Sequence, residues 1–218
     1  MGTKRSHKVK NKKILITSGP TWVPIDNVRV ISNIATGETG IFLAEKLQRL
    51  GAKVTLVLGP VGACCLNRKI NLMRFRFFNE LRDIIIKELR SKKYDVIIHS
   101  AAVSDYKPAK IYKQKVKSGM KKWRMDLVPT EKIIDLFKKI DLSIFLVGFK
   151  FEPNTNKEKL ISNARVLIQR SRLNLAVANT ISQGKYKAYI VGKQRINGPF
   201  LNRDYLIRDL IKALGENL

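Results

Sequence analysis

Two cysteines in 218 residues, adjacent in sequence, exclude a disulfide framework. Cys64 and Cys65 can join each other only as a strained vicinal pair, and they offer no zinc-ligand spacing. No apolar run approaches the roughly 20 residues that span a bilayer. The first thirteen residues are basic and lack the apolar stretch of a secretory signal. Acid is scarce: 17 Asp and Glu stand against 43 Lys and Arg, a formal net charge of +26. The GxGxxG dinucleotide fingerprint is missing, as are helix-turn-helix, zinc-finger and aromatic ribonucleoprotein signatures. These absences argue against export, membrane spanning and dedicated nucleic-acid recognition, and a reducing cytoplasm is the expected compartment. The charge still implies weak, salt-sensitive attraction to any polyanion.

A hydrophobic fraction of 44% is enough for a core. The length suits one domain over residues 13–218, preceded by a basic, flexible tail over 1–12. Short apolar runs alternate with helical patterns. Strands are expected at 13–18, 53–58, 72–77, 94–99, 144–149, 175–178 and 186–191. Helices are expected at 35–50, 81–89, 132–139, 157–169 and 204–214. Strand and helix in alternation imply parallel strands with right-handed crossovers. The expected fold is α/β: a three-layer, Rossmann-like domain with a mostly parallel sheet. A polar, basic segment over about 107–124 is expected to protrude as a lid or dimerisation element. Ligands of such sheets sit beyond the carboxyl ends of the strands.

Four segments at those ends carry unusual residues. Thr17-Ser18-Gly19-Pro20-Thr21 follows the first strand, where Gly19 lets backbone approach a ligand; an ordinary strand-to-loop turn fits it equally. Between Pro24 and Gly40, Asn33 or Thr36 suits a helix cap as well as a ligand contact, and Arg29 suits a surface ion pair or a phosphate clamp. In His99-Ser100-Ala101-Ala102-Val103-Ser104-Asp105-Tyr106, small residues admit a bulky ligand. Asp105 there can accept from a ribose or base, help hold a metal near phosphates, or simply close a turn. Tyr106 and Lys110 have the Tyr-x-x-x-Lys spacing of short-chain reductases, but Pro108 opposes the helix that pair requires. In the fourth segment, alternation puts Lys115 and Lys117 on one side of an extended loop. Such a loop can cover a polyphosphate, or it can be a solvated lysine run.

Taken in order, these segments resemble phosphopantothenate–cysteine ligase, the phosphopantothenoylcysteine synthetase of coenzyme A biosynthesis, as a stand-alone form of the DNA/pantothenate metabolism flavoprotein C-terminal domain family. The resemblance runs from about Lys13 to the last helix. It rests on Thr17 to Thr21, Pro24-Ile25-Asp26, Val28-Arg29, Ile31-Ser32-Asn33, Gly37, Gly40 and Val57 to Val61. It continues in Ala101 to Tyr106, Lys115-Val116-Lys117, Val147 to Lys150 and Ala178-Asn179. About a dozen residues precede the first strand, so a synthetase without a flavin-binding half is expected.

The resemblance implies that the carboxylate of 4′-phosphopantothenate attacks the α-phosphate of CTP or ATP, releasing pyrophosphate, before the acyl-nucleotide meets the amine of L-cysteine. It makes Asn33 and Lys115 the catalytic pair: Asn33 polarises the acyl carbonyl and Lys115 neutralises phosphate charge from a closing flap. It places Gly19, Ser100, Ala101, Asp105, Lys115, Lys117, Glu131, Lys132, Ile133, Ile134 and Phe149 at the nucleotide. It places Arg29, Asn33 and Ala102 at phosphopantothenate. Mg2+ would accompany the triphosphate, no protein side chain is assigned as its ligand, and a homodimer is expected. Three departures stand out. Ser118 occupies a position where the family often has lysine. Leu167 and Ser171 replace late-helix lysines, with Arg165, Arg170 and Arg172 nearby as substitutes, which leaves CTP and ATP both open. Trp22-Val23 replaces the usual Arg-Glu. The alternative reading is a synthetase-like fold that has lost catalysis and uses its charge on nucleic acid; a nicotinamide-dependent reductase is a third.

Overall fold

The computed structural model describes residues 6–62 and 66–218. Cys64 and Cys65, and with them the question of a vicinal disulfide, lie outside the described residues. In chain order the elements are β1 (Lys13–Ser18), β2 (Trp22–Pro24), β3 (Val30–Ser32), α1 (Glu38–Arg49), β4 (Lys53–Leu58), β5 (Asn71–Arg74), α2 (Phe78–Ser91) and β6 (Val96–His99). Then come β7 (Tyr106–Pro108), β8 (Leu127–Pro129), α3 (Ile133–Ile140), β9 (Phe145–Phe151), α4 (Lys157–Ser171), β10 (Leu175–Ser182), β11 (Lys185–Val191), β12 (Ile196–Phe200) and α5 (Arg203–Asn217).

Eight strands form one sheet in the order β12-β11-β10-β9-β6-β1-β4-β5. The six from β5 to β10 run parallel, while β11 and β12 add an antiparallel edge. Alternation along β1 shows why the sheet is covered on both sides. Ile14 and Ile16 pack with Leu43 and Leu47 of α1 and Leu206 and Leu210 of α5. Leu15 faces the other way, into a cluster with Leu81 of α2, Phe137 of α3 and Leu160 of α4. A strand buried on both faces is mostly apolar, as Ile14-Leu15-Ile16 of β1, Leu56-Val57-Leu58 of β4 and Val96-Ile97-Ile98 of β6 are. The three-layer, mostly parallel α/β expectation therefore holds.

Differences from the sequence reading have local causes. The helix expected from residue 35 begins at Glu38, because Gly37 takes a left-handed φ of 73° and ends the preceding loop. The strand expected to reach 77 stops at Arg74. β12 was not anticipated: Asn-Gly-Pro within it reads as a turn, yet it pairs with β11 at the edge, where proline is tolerated. Within the segment 1–12 expected as a tail, the described residues include one short element and one core side chain. Ser6–Val9 forms a 3₁₀ turn, and Val9 is fully buried in the α1/α5 core.

Chain order reverses direction in the sheet between β1 and β6, the strands β4 and β5 lying to one side and β9 and β10 to the other. A crevice opens at such a point. Helix α1 crosses it closely: a Cβ on Gly40 would lie 2.4 Å from Ser18 Oγ and 3.0 Å from Ser100 Oγ. Glycine to alanine inside a helix ordinarily gains about 1 kcal/mol, whereas overpacking a tight contact costs about 1–3 kcal/mol. Gly40→Ala is therefore expected to lower the urea midpoint. An unchanged or raised midpoint would show that α1 can lift away from the strand ends.

Candidate active site

The loops that leave β1 and β6 stay paired beyond the strands. Ser100 N donates to Thr17 O at 3.0 Å, Ala102 N to Gly19 O at 2.9 Å, and Thr21 N to Ala102 O at 3.2 Å. Hydroxyls reinforce this seam: Ser100 Oγ donates to Thr17 O (2.8 Å), Ser104 N to Thr21 Oγ1 (2.9 Å), and Thr130 Oγ1 to Ser104 O (2.5 Å). Several Ser and Thr residues that a sequence reader would test as nucleophiles are thus spent on positioning.

Beside the seam lies a cleft of about 880 Å³, a size typical of small-molecule sites. Its walls include ten of the residues singled out from sequence: Asn33, Ser100, Ala101, Ala102, Asp105, Glu131, Lys132, Ile133, Ile134 and Phe149. Four others are elsewhere. Gly19, at φ 79°, packs against Gly59 and Val61. Lys115 and Lys117 are exposed on the segment between β7 and β8 and do not line the cleft of their own chain. Arg29 is turned onto that same segment, its Nη2 donating to Val116 O at 2.9 Å and its guanidinium 5.4 Å from the Trp123 ring centroid. The guanidinium expected at phosphopantothenate is engaged here by protein.

Asn33 caps no helix; Gly37 takes that position. Its side-chain Nδ2 donates to Ala102 O (3.1 Å) and Val103 O (3.2 Å). Turning the amide over would set Oδ1 against two carbonyls, so the partners fix its orientation. The expected capping by Thr36 is reduced to a long contact from Glu38 N, 3.4 Å.

Two of the three carboxylates lining the cleft, those of Asp105 and Glu152, are paired with cations. Asp105 pairs with Lys132 at 2.5 Å. Glu152 pairs with Lys150 at 2.9 Å and accepts from Asn163 at 3.0 Å; the Lys150 ammonium, foremost, holds the Glu152 carboxyl below its ordinary range. Lys132 stands at the start of α3 with no side-chain cap, leaving first-turn peptide N–H groups at the cleft wall, an arrangement that favours anions. At the far end are Leu167 and Arg170 of α4; Arg165 and Arg172 do not reach the cleft. Ser171 instead donates to Asp135 (2.6 Å), tying α4 to α3. Tyr106 and Lys110 belong to β7 and the loop beyond it, which removes the helix a reductase pair needs.

The sequence reading assigned no role to His99. Its Nδ1 lies 2.7 Å from Thr17 Oγ1, and its ring packs edge-on against Phe137 at 5.2 Å. Although buried, it lines the cleft floor. Burial pushes its pKa down to about 4. Lys150, Glu152 and Asn163 also line the cleft without having been singled out as site residues. The signal available was their position at the end of β9 and just beyond it, and on α4.

Residues 9–194 match the family model described as DNA/pantothenate metabolism flavoprotein C-terminal domain. The coenzyme A biosynthesis bifunctional protein CoaBC of Thermococcus kodakarensis is 38% identical over 173 residues, 79% of this chain and 42% of that protein. This chain spans about half the length of the curated relatives it matches. Among solved structures, the DNA/pantothenate metabolism flavoprotein from Streptococcus pneumoniae superposes with a TM-score of 0.85 at 26% identity, covering 95% of this chain and all of that one. The C-terminal domain of a CoaBC superposes at 0.79 and 25%, covering 97% of each chain.

His99 makes stability depend on acid. The unfolded chain takes up this proton near pH 6.5 and the folded chain only near pH 4. The stability it contributes is full above pH 6.5 and falls as pH drops through that window, by ~3 kcal/mol between pH 7 and 4. Urea unfolding at a series of pH values should show His99→Gln losing less stability over this range than the parent chain. Parallel profiles for the two would mean that the imidazole titrates normally.

Proposed function

The chain belongs to the DNA/pantothenate metabolism flavoprotein C-terminal domain family, and on that premise we propose that it is a phosphopantothenate–cysteine ligase of coenzyme A biosynthesis. The observation that carries the reading is the convergence of Asn33, the Ser100–Asp105 loop, the start of α3 and Phe149 on one cleft at the sheet's switch point. These segments are far apart in sequence, and the fold brings them to one place.

In the proposed reaction, CTP or ATP binds with its phosphates toward the α3 N-terminus and Lys132. Asp105 accepts from the sugar, and Phe149 packs near the base with Ile133 and Ile134. The carboxylate of 4′-phosphopantothenate attacks the α-phosphorus, pyrophosphate leaves, and an acyl-nucleotide remains. The amine of L-cysteine then adds to the acyl carbon and the nucleoside monophosphate departs. No protein nucleophile enters either step, so the enzyme's contribution is placement and charge stabilisation. Asn33 donates to the acyl oxygen by exchanging one of its two carbonyl partners for it. Lys115, which lies outside the cleft of its own chain, neutralises charge developing on the phosphates bound in the cleft of a second copy.

Mg2+ enters as a companion of the triphosphate. Among the described residues no three His, Cys, Asp or Glu side chains converge to hold an ion, and phosphate oxygens are its natural ligands. The proposed chemistry uses no flavin. No helix among the described residues is long and apolar enough to cross a membrane, and we place the reaction in the cytoplasm. A homodimer is part of the proposal. Ile34, Tyr106, Ile111, Met120 and Leu127 are all about half exposed or more, on the two small hairpins and the loops beside them, where a second copy would cover them. The nucleic-acid alternative has no observation in its favour beyond net charge.

Purified protein given phosphopantothenate, cysteine, Mg2+ and either CTP or ATP is expected to release pyrophosphate; silence with both nucleotides would refute the proposal. Asn33→Asp sets a carboxylate against the Ala102 and Val103 carbonyls. It is expected to keep nucleotide binding while slowing product formation at least about 100-fold, the scale of losing one oxyanion donor. Undiminished ligation by that variant would remove Asn33 from the mechanism.

A further inference from the structure

The segment from 107 to 124 carries eight Lys and Arg and no Asp or Glu. Like charges at this density repel one another, so the segment needs something to hold it in one place. Among the described residues, the backbone of Val116 provides the only hydrogen-bonded anchor between 113 and 122. Val116 N donates to Asp26 Oδ2 at 3.1 Å, and Val116 O accepts from Arg29 Nη2 at 2.9 Å.

We propose that Asp26 and Arg29 are positioning residues for the lysine segment, clasping the Val116 peptide by both its polar groups and so fixing where Lys115 and Lys117 are presented. The inference rests on the ligase reading for the role of Lys115, but not for the clasp itself.

Asp26 lies in the turn between β2 and β3, with a side chain wholly shielded from solvent. Its Oδ1 accepts from Val28 N (2.9 Å) and Arg29 N (2.8 Å), which sets the turn. Its Oδ2 is left for Val116 N, with Arg29 Nη1 at 3.5 Å. Burial would raise this carboxyl, but the three N–H donors and the guanidinium outweigh it and hold Asp26 below the ordinary aspartate range. The carboxylate is therefore charged and fully employed. Arg29 is itself braced: it lies over Trp123, Trp123 meets Tyr112 edge-on at 6.1 Å, and Tyr112 N donates to Ile25 O at 2.9 Å. Both flanks of the segment are thus tied to the same hairpin turn.

Two hydrogen bonds to one peptide do what a neighbouring strand would do, except that side chains supply the donor and the acceptor. Val116 is half-buried while Lys115 and Lys117 are exposed, as alternation along an extended chain requires. Clasping Val116 thereby sets both lysines on the opposite side.

The discriminating variant is Asp26→Asn. It keeps the size of the side chain and an oxygen for Val28 N and Arg29 N, but presents an NH₂ to Val116 N. Because Asp26 has no exposed side-chain surface, its replacement cannot remove a substrate contact. Amide hydrogen exchange across 113–122 in the full chain is expected to quicken at least about tenfold, with the β1 and β6 peptides unchanged. Arg29→Met, which removes the guanidinium from both Val116 O and the Trp123 ring, should do the same. In pyrophosphate release, Asp26→Asn is expected to lower kcat about tenfold or more while the nucleotide KM moves less than about threefold, the pattern of an interaction made in the transition state. Combined with Lys115→Ala it should add little to the loss from Lys115→Ala alone, since both act through one group. Unchanged exchange in both variants, or fully additive losses with Lys115→Ala, would overturn the clasp. A parent chain that releases no pyrophosphate would sink the ligase reading alone, and the exchange data would still decide the clasp.

Discussion

The crest of this molecule depends on two loops that remain hydrogen-bonded to each other after their strands have ended. Thr17 O and Gly19 O accept from the peptide N–H groups of Ser100 and Ala102, and Ala102 O takes Thr21 N in return while also holding Asn33 Nδ2. One carbonyl, that of Ala102, therefore joins the β1 loop, the β6 loop and the residue after β3. The arrangement is possible because β1 and β6 are neighbours at the point where chain order reverses. Both are buried on both faces, and a one-residue slip would turn each side chain into the wrong layer. A rigid sheet below gives the loops a fixed register, and the register places the cleft.

From the same seam, order spreads outward in a definite direction. Thr21 and Ser104 exchange hydrogen bonds, Ser104 O accepts from Thr130, and Thr130 N donates to Asp105 O. These contacts seat the base of the β7–β8 hairpin and the approach to α3. The hairpin's far end is secured differently, through the β2–β3 turn. The segment is thus held at its root by backbone continuity with the site and at its tip by a buried carboxylate.

How much of this was legible in the sequence follows from burial. β1 and β4 were read to the residue, because a strand enclosed on two faces places apolar residues in succession, Ile14 to Ile16 and Leu56 to Leu58 here. The two small hairpins and β12 were not, since Trp22–Pro24, Tyr106–Pro108 and Ile196–Phe200 are short, partly exposed and carry proline. Cleft residues were legible in groups, as small or polar residues at strand ends. Their partners were not: nothing in the spacing of Asn33 says that its amide reaches the Ala102 and Val103 carbonyls. Arg29 shows the limit most plainly. A guanidinium near a site suits a ligand phosphate or a peptide carbonyl equally well, and nothing in the sequence announces the contact it makes with Val116, 87 residues away.

Charge and geometry then divide the work. Inside the cleft, Asp105 and Glu152 are matched by Lys132 and Lys150, so local charge is moderate and the exposed Asp105–Lys132 pair contributes little to stability. Much of the surplus that makes the chain so basic lies outside the cleft, with eight Lys and Arg and no acid on the 107–124 segment. Long-range attraction there draws a polyanion in without specifying its pose. In the proposed reaction, pose comes from contacts of fixed length, made by the Asn33 amide, the first peptides of α3 and the Asp105–Lys132 pair. A cationic segment free to wander would attract the same ligand and leave its phosphates unaligned. On the proposed clasp, binding would survive and turnover would not, so the anchoring of so charged a segment by one enclosed aspartate is expected to bear on rate more than on affinity.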